Sequence, residues 1–289
     1  MKMIRRTMTD SSRCSDLPLS VVLAVLLTVL PMRVSGQQTV WDLPQYKETV
    51  SCTSVMAGNM IARDTYLSAS RYDGWAVGFE NDRWTGYRAY RLFCYGRSYS
   101  TLLFSPMNNR NGGGSTLGLG GAYHHAFLWP AISCSMCDLL IGPAVMTDFD
   151  VFYNQQNSNN PVNGSGYLAG GVCVDNTFRF RVLRYNMALQ ASLYLPLAGV
   201  GFAPDYDQPY YFMYKDSEYG RALHFVTPFN NKAITHQVAL VLPFRGNRFR
   251  IGYSIDYYSN RLGGHSRNIG SGMLTIGCAF RYQSKEWAL

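Results

Sequence analysis

From residue 248 onward, apolar and polar positions alternate one by one. Phe249, Ile251, Tyr253, Ile255 and Tyr257 take the odd places, and Arg248, Arg250, Gly252, Ser254 and Asp256 the even ones. A period of two belongs to a β-strand with one apolar and one polar face. The preceding segment sets Val238, Leu240, Leu242 and Phe244 against Gln237, Ala239 and Val241, and Arg245-Gly246-Asn247 joins the two as a tight hairpin. Leu274, Ile276, Cys278, Phe280 and Tyr282 repeat the pattern against Met273, Thr275, Gly277, Ala279 and Arg281. Further strands are predicted near residues 74–80, 86–95, 98–105, 117–129, 138–150, 166–174, 177–185, 188–197 and 218–227, and no segment after residue 36 carries a long helical period. About twelve strands result, an even number as single-chain bacterial barrels have.

These alternations predict an all-β fold, an antiparallel up-and-down transmembrane β-barrel. Connection lengths point the same way. With the C-terminus on the periplasmic side, Gly96-Arg97, Asp175-Asn176 and Arg245-Gly246-Asn247 are short inner turns, while 106–115, 152–165 and 259–272 are long outer loops. Pro143 fits badly inside a strand, where it removes a ladder hydrogen bond. Residues 197–217 would be a long periplasmic connection. The alternative architecture is a soluble periplasmic β-sandwich with its apolar faces buried, acting as a binding protein.

The one long apolar run, residues 17–32, follows Lys2, Arg5 and Arg6 and ends at Val34-Ser35-Gly36. That order reads as a secretory signal peptide over 1–36; the run is shorter than the ~20 residues a spanning helix needs. An N-terminal periplasmic segment over 37–73 and an outer-membrane barrel over 74–289 complete the expected organisation, in a Gram-negative outer membrane.

Composition adds two constraints. The chain of 289 residues holds 21 Tyr and 27 Gly and carries a formal charge of +8. Lys2, Arg5, Arg6, Arg13 and Arg33 against Asp10 and Asp16 leave +5 for the rest. Those Lys and Arg are scattered rather than gathered on one element, which excludes a nucleic-acid partner as the reading. The expected partners are outer-membrane lipid and the barrel-assembly machinery, because the last strand closes on aromatics like the assembly signal of such barrels, although Gln283 and further residues follow it. The sequence does not fix an oligomeric state. Cys134-Ser135-Met136-Cys137 has C-x-x-C spacing without the second pair a zinc site needs, so a local turn disulfide or free buried thiols are the readings. No metal and no cofactor are expected.

Several phrases resemble a known family. They are Asp64-Thr65-Tyr66-Leu67-Ser68, the loop Phe152-Tyr153-Asn154-Gln155-Gln156-Asn157-Ser158-Asn159-Asn160-Pro161, the stretch from Pro196-Leu197-Ala198-Gly199 to Ala203-Pro204-Asp205-Tyr206, Gln208-Pro209-Tyr210-Tyr211, Arg250-Ile251-Gly252-Tyr253, and His265. Together, over about 60–282, they resemble an uncharacterised domain-of-unknown-function family of Bacteroidetes envelope proteins. The resemblance implies an exported, barrel-like protein and no known activity.

Candidate chemistry is sparse. His265 and Ser266 with Asp256 carry residue types of an outer-membrane lipid hydrolase of the phospholipase or lipid A deacylase type. Adjacent residues on a strand point to opposite faces, which breaks a catalytic geometry. His124 and His125 diverge for the same reason. Arg179, Arg181, Arg248, Arg250, Asp256 and Arg281 are expected to line the lumen, filling it or biasing a pore toward anions. Tyr206, Tyr210 and Tyr211 mark a plug or binding surface. The leading expectation is a non-enzymatic small channel or a structural or interaction protein.

Overall fold

The computed structural model describes residues 42–89, 92–109, 113–157, 161–183, 185–205, 210–244 and 247–283, all within the second of two compact units, Ser35–Leu289. The expected signal peptide lies outside the described residues. Eleven strands follow one another: β1 Glu48–Asp64, β2 Tyr72–Ala89, β3 Leu92–Asn109, β4 Ser115–Ser133, β5 Cys137–Asn154, β6 Val162–Val182, β7 Tyr185–Phe202, β8 Leu223–Val226, β9 Asn231–Phe244, β10 Asn247–Leu262 and β11 His265–Gln283. A short helix, α1 Tyr210–Asp216, and a 3-10 turn, Tyr219–Ala222, precede β8.

Each strand pairs antiparallel with its neighbours, and β1 pairs with β11 from Glu48↔Gln283 to Asp64↔Arg267, closing the sheet on itself. The ring holds ten strands, in the order β1 to β7, then β9, β10 and β11. The short β8 stands outside it, pairing with the last residues of β7 from Gly199↔Val226 to Phe202↔Leu223. Beside it, β9 holds only the first part of β7, Ala188↔Val241 to Tyr194↔Thr235. Pro196, which has no N–H to give, falls between those two pairings.

The expected count of twelve is thereby corrected to ten. Gly96-Arg97 and Asp175-Asn176 are not turns but mid-strand residues of β3 and β6, so segments expected to be separate are single long strands. Polar dipeptides mark turns when water takes them up; here Arg97 and Asp175 point into a polar bore. The stretch assigned to a preceding periplasmic segment contributes β1, a full wall of the ring. Residues 259–272 are not a long loop, because β10 and β11 meet at the two-residue turn Gly263-Gly264. Both glycines have positive φ, 61° and 74°, the requirement of a type I′ hairpin.

Losing those turns also moves the long connection to the other end. The β2–β3, β4–β5, β6–β7 and β9–β10 turns share one end with the start of β1 and the end of β11. The opposite end carries the β1–β2, β3–β4, β5–β6 and β10–β11 connections and residues 203–230, whereas the long connection was expected over 197–217 on the periplasmic side.

The faces follow the alternation. Arg250, Gly252 and Ser254 are buried in the bore, whereas Ile251 and Tyr253 face out. Val55, Trp75, Phe79, Leu102, Phe149, Leu168, Leu274 and Phe280 are likewise exposed on the outer wall. Apolar faces therefore do not pack on each other, and the sandwich alternative does not occur. Ring strands run from 14 to 21 residues, beyond the roughly 9–11 that cross a bilayer.

Pro143 is accommodated by a gap in one ladder. The β4–β5 pairing passes from Ala126↔Ala144 to Trp129↔Ile141, with no bridge at Gly142 or Pro143. At Gly142 the two backbones approach so closely that a Cβ would stand 1.8 Å from the Phe127 carbonyl oxygen. Gly142→Ala is expected to force the strands apart at a cost of about 1–3 kcal/mol. The check is the temperature at which the compact, unboiled gel band is lost: it should fall in the variant, and an unchanged temperature would refute the close approach.

Candidate functional site

Inward residues on ten strands must share a narrow bore, and two layers of charged ones cross it. The layer nearer the termini centres on Arg97 of β3. Its Nε and Nη2 donate to the two carboxylate oxygens of Asp82 on neighbouring β2, at 2.9 and 2.8 Å. Nη1 donates to Asp175 on β6 at 2.8 Å, and Nη2 also to Gln237 Oε1 on β9 at 3.0 Å. In a ring of ten, β3 and β9 are five strands apart, so this last bond crosses the full diameter.

Gln237 passes the connection on. Its Nε2 donates to Glu80 Oε2 on β2 at 2.8 Å, and Glu80 Oε1 accepts from Arg250 Nη1 on β10 at 2.5 Å. Arg250 Nη2 lies 3.4 Å from Asp82. The Arg97 guanidinium also sits 4.9 Å from the Trp84 ring centroid and 5.5 Å from that of Tyr194, within cation–π range. Five strands are tied through one pair of guanidinium groups, and all five charged side chains are fully buried or nearly so.

The second layer lies at the loop end. Arg267 of β11 pairs with Asp150 of β5 and stands 3.6 Å from Asp64 of β1. Asn163 Nδ2 of β6 donates to Asp64 Oδ2 at 2.6 Å. Both Arg267–Asp150 and Asn163–Asp64 again join strands five apart in the ring. Tyr210, the first residue of α1, donates its hydroxyl to Asn163 Oδ1 at 2.9 Å and accepts from Gly164 N at 2.6 Å. Burial pushes the Tyr210 phenol up to about 12, so the proton it donates stays in place at neutral pH. The long connection is thus pinned to the inner rim of the barrel.

Between the layers lies a cavity of about 90 Å³ lined by Asp148, Asp150, Asp256, Thr235 and Tyr258 among others. His124 Nε2 is 2.7 Å from Asp148 Oδ1, and Tyr167 donates its hydroxyl to the other oxygen of the same carboxylate. A ring cluster of Tyr99, His124 and Tyr194, with centroids 4.9 to 6.1 Å apart, occupies the bore beside it. Among the described residues no group of three or more His, Cys, Asp or Glu is placed to hold a metal ion.

The expected lumen residues divide. Arg250 belongs to the first layer, and Asp256 lies in the bore accepting from Ser271 Oγ at 3.3 Å. Arg179 pairs with Asp138 near the terminus end, and Arg248 is half-buried there. Arg181 and Arg281 are at the exposed rim, bonded to the Leu183 carbonyl and to Glu48 respectively. Of the expected plug residues, Tyr210 is the anchor just described, Tyr206 lies outside the described residues, and only the backbone of Tyr211 in α1 is described.

His265, Ser266 and Asp256 do not form a triad. His265 is buried at the Gly263-Gly264 turn with Nδ1 3.0 Å from the Gly263 carbonyl. Ser266 points to the other face, while Asp256 pairs across the ladder with Ser271. Six residues of strand separate that position from His265, roughly 20 Å. His124 faces the bore and His125 the outer wall, where its Nδ1 meets Ser98 Oγ at 2.8 Å.

A family model described as a protein of unknown function (DUF3316) matches residues 20–283. No curated protein sequence matches the chain. Among solved structures, the outer membrane protease OmpT from Escherichia coli shares 7% identity with a TM-score of 0.44, over 84% of this chain and 100% of that one. OccK11 (OpdR) of Pseudomonas aeruginosa shares 10% with a TM-score of 0.19, over 86% and 100%. Neither likeness is close enough to carry an activity across.

Two outcomes test the layers. Arg97→Ala leaves Asp82 and Asp175 buried without their shared cation and is expected to cost about 3–5 kcal/mol, read as a fall in the denaturant midpoint in detergent. Arg181→Ala at the rim should shift that midpoint by less than about 0.5 kcal/mol; equal shifts would refute the brace. Tyr210→Phe removes the hydroxyl that holds α1, and limited proteolysis should then cut residues 203–230 faster than in the parent chain.

Proposed function

The chain belongs to the DUF3316 family of proteins of unknown function, and we propose that it is a closed, non-conducting outer-membrane β-barrel that acts as a structural or interaction protein. The single observation that carries this reading is the bond from Arg97 on β3 to Gln237 on β9, which crosses the diameter of the ring. A ten-stranded barrel lies just above the eight-stranded size whose interior side chains fill, and far below the 16–18 strands that leave an aqueous channel. Here polar side chains from five strands, charged on four of them, occupy the middle of that bore.

Membrane residence is supported by the outer wall. Side chains such as Trp75, Phe79, Phe149, Leu168 and Phe280 stand exposed around the ring. An apolar surface of that extent on a soluble protein would drive association; in a bilayer it meets lipid tails. Short turns at the terminus end and, apart from the two-residue Gly263-Gly264 turn, longer connections at the other fit the asymmetry of outer-membrane barrels, with the loop end outside the cell. Lipid and the barrel-assembly machinery are the partners this reading requires, and export depends on the leader over 1–36.

The loop end is the surface offered to a partner. Residues 203–230 form its largest connection and carry exposed Tyr214, Tyr219, Phe225 and Phe229, and connections on a rigid scaffold are where binding concentrates. A hydrolase is not favoured, because His265, Ser266 and Asp256 do not converge. The test is solute entry into liposomes carrying the refolded protein. Swelling in small sugars should match that of protein-free liposomes, and swelling at a porin-like rate would overturn the closed-barrel reading.

A further inference from the structure

The β4–β5 turn, at the terminus end, holds two cysteines across from each other. Ser133↔Asp138 is the last ladder pair, and the next step brings Cys134 N to within 2.8 Å of the Cys137 carbonyl oxygen. Facing residues that exchange both backbone bonds have Cα atoms about 5.5 Å apart, and this pair, which makes one of the two, is held close to the ~4.4–6.8 Å that a disulfide spans. The Cys134 sulfur is already turned back toward its partner, accepting from Cys137 N at 3.3 Å. The Cys137 thiol donates to Asn176 Oδ1 at 3.2 Å, and Cys134 is exposed while Cys137 is half-buried.

No other two of the described cysteines are so placed. Cys52 and Cys173 point into the bore from β1 and β6, which are five strands apart. Cys278 is on β11 one register step from Cys52, since Cys52 faces Ala279, but on the opposite face of the sheet. Cys94 lies on β3, away from all three strands.

We propose that Cys134 and Cys137 form an exchangeable disulfide that clasps the β4–β5 turn, with Cys134 as the sulfur open to attack, while Cys52, Cys94, Cys173 and Cys278 stay as thiols. The oxidant is a disulfide of an envelope thiol–disulfide oxidoreductase, or glutathione disulfide in solution. A thiolate of the pair attacks it and forms a mixed disulfide, releasing one thiol. The second cysteine then displaces the other sulfur. Two thiol protons and two electrons leave the protein, one S–S bond forms in it, and the oxidant's disulfide becomes two thiols. Closure takes the Cys137 hydrogen from Asn176. The oxidising compartment rests on the outer-membrane reading; the geometry of the pair does not.

The test uses full-length protein taken from the envelope without reductant, denatured, blocked with N-ethylmaleimide and digested. The peptide holding Cys134 and Cys137 should lack label at both and be lighter by two hydrogens than the dithiol form, and both positions should take label after reduction. Cys52, Cys94, Cys173 and Cys278 should be labelled throughout. Label on Cys134 and Cys137 before reduction, or a disulfide mapped to any other pair, would overturn the proposal. Folded Cys137→Ser protein mixed with glutathione disulfide should gain one glutathionyl group at Cys134, and failure to gain it would overturn the exposed sulfur as the exchanging one. Gel mobility of the same sample, boiled and unboiled, reports separately on the barrel, so a lost heat shift with an intact disulfide would count against the membrane reading alone.

Discussion

A guanidinium in the middle of a protein must find acceptors on every side, and Arg97 finds them on β2, β6 and β9 together. Much else in the ring answers to that requirement. Asp82 and Asp175 face inward at the right height only if β2, β3 and β6 run unbroken past them. Gln237 can reach across only if the ring is no wider than ten strands make it. Glu80, beside Asp82 on β2, then brings in Arg250 from β10 as the second cation. Burying such ions is costly, and their mutual attraction offsets the cost only when geometry and extra hydrogen bonds are good. The layer is therefore better understood as fixing register and bore diameter than as a source of net stability.

The loop-end layer repeats the principle with different chemistry. Arg267–Asp150 and Asn163–Asp64 cross the bore again, and Tyr210 adds the long connection to them through one hydroxyl. The carboxylate-lined cavity is bounded by the two layers. With α1 tied at its first residue, the exposed aromatics of 203–230 are carried on a connection anchored to the rigid ring rather than on a free loop.

Part of this was legible in the sequence. The alternation of Phe249, Ile251 and Tyr253 with Arg248, Arg250 and Gly252 states the faces of β10 outright, and the barrel follows from repeating it. What misled is physically instructive. Asp175-Asn176 and Gly96-Arg97 have the composition of turns, and only partners on distant strands make Asp175 and Arg97 interior positions. Gly263-Gly264 lay inside a polar stretch that resembled a loop, although two consecutive glycines are what a two-residue hairpin requires. The Ser51–Thr53 region alternates weakly because small residues serve on both faces, which hid β1. Contacts across the diameter join residues such as Arg97 and Gln237, 140 positions apart, and no local pattern announces them.

The most direct measurement is single-channel recording in a planar bilayer, comparing the parent chain with an Arg97→Ser/Gln237→Ser variant. If charged side chains close the bore, the parent gives a flat trace and the trimmed variant gives discrete current steps at the same applied voltage. Steps of equal size from both would mean that ions pass by a route these residues do not block, and the account of a braced, closed barrel would be wrong.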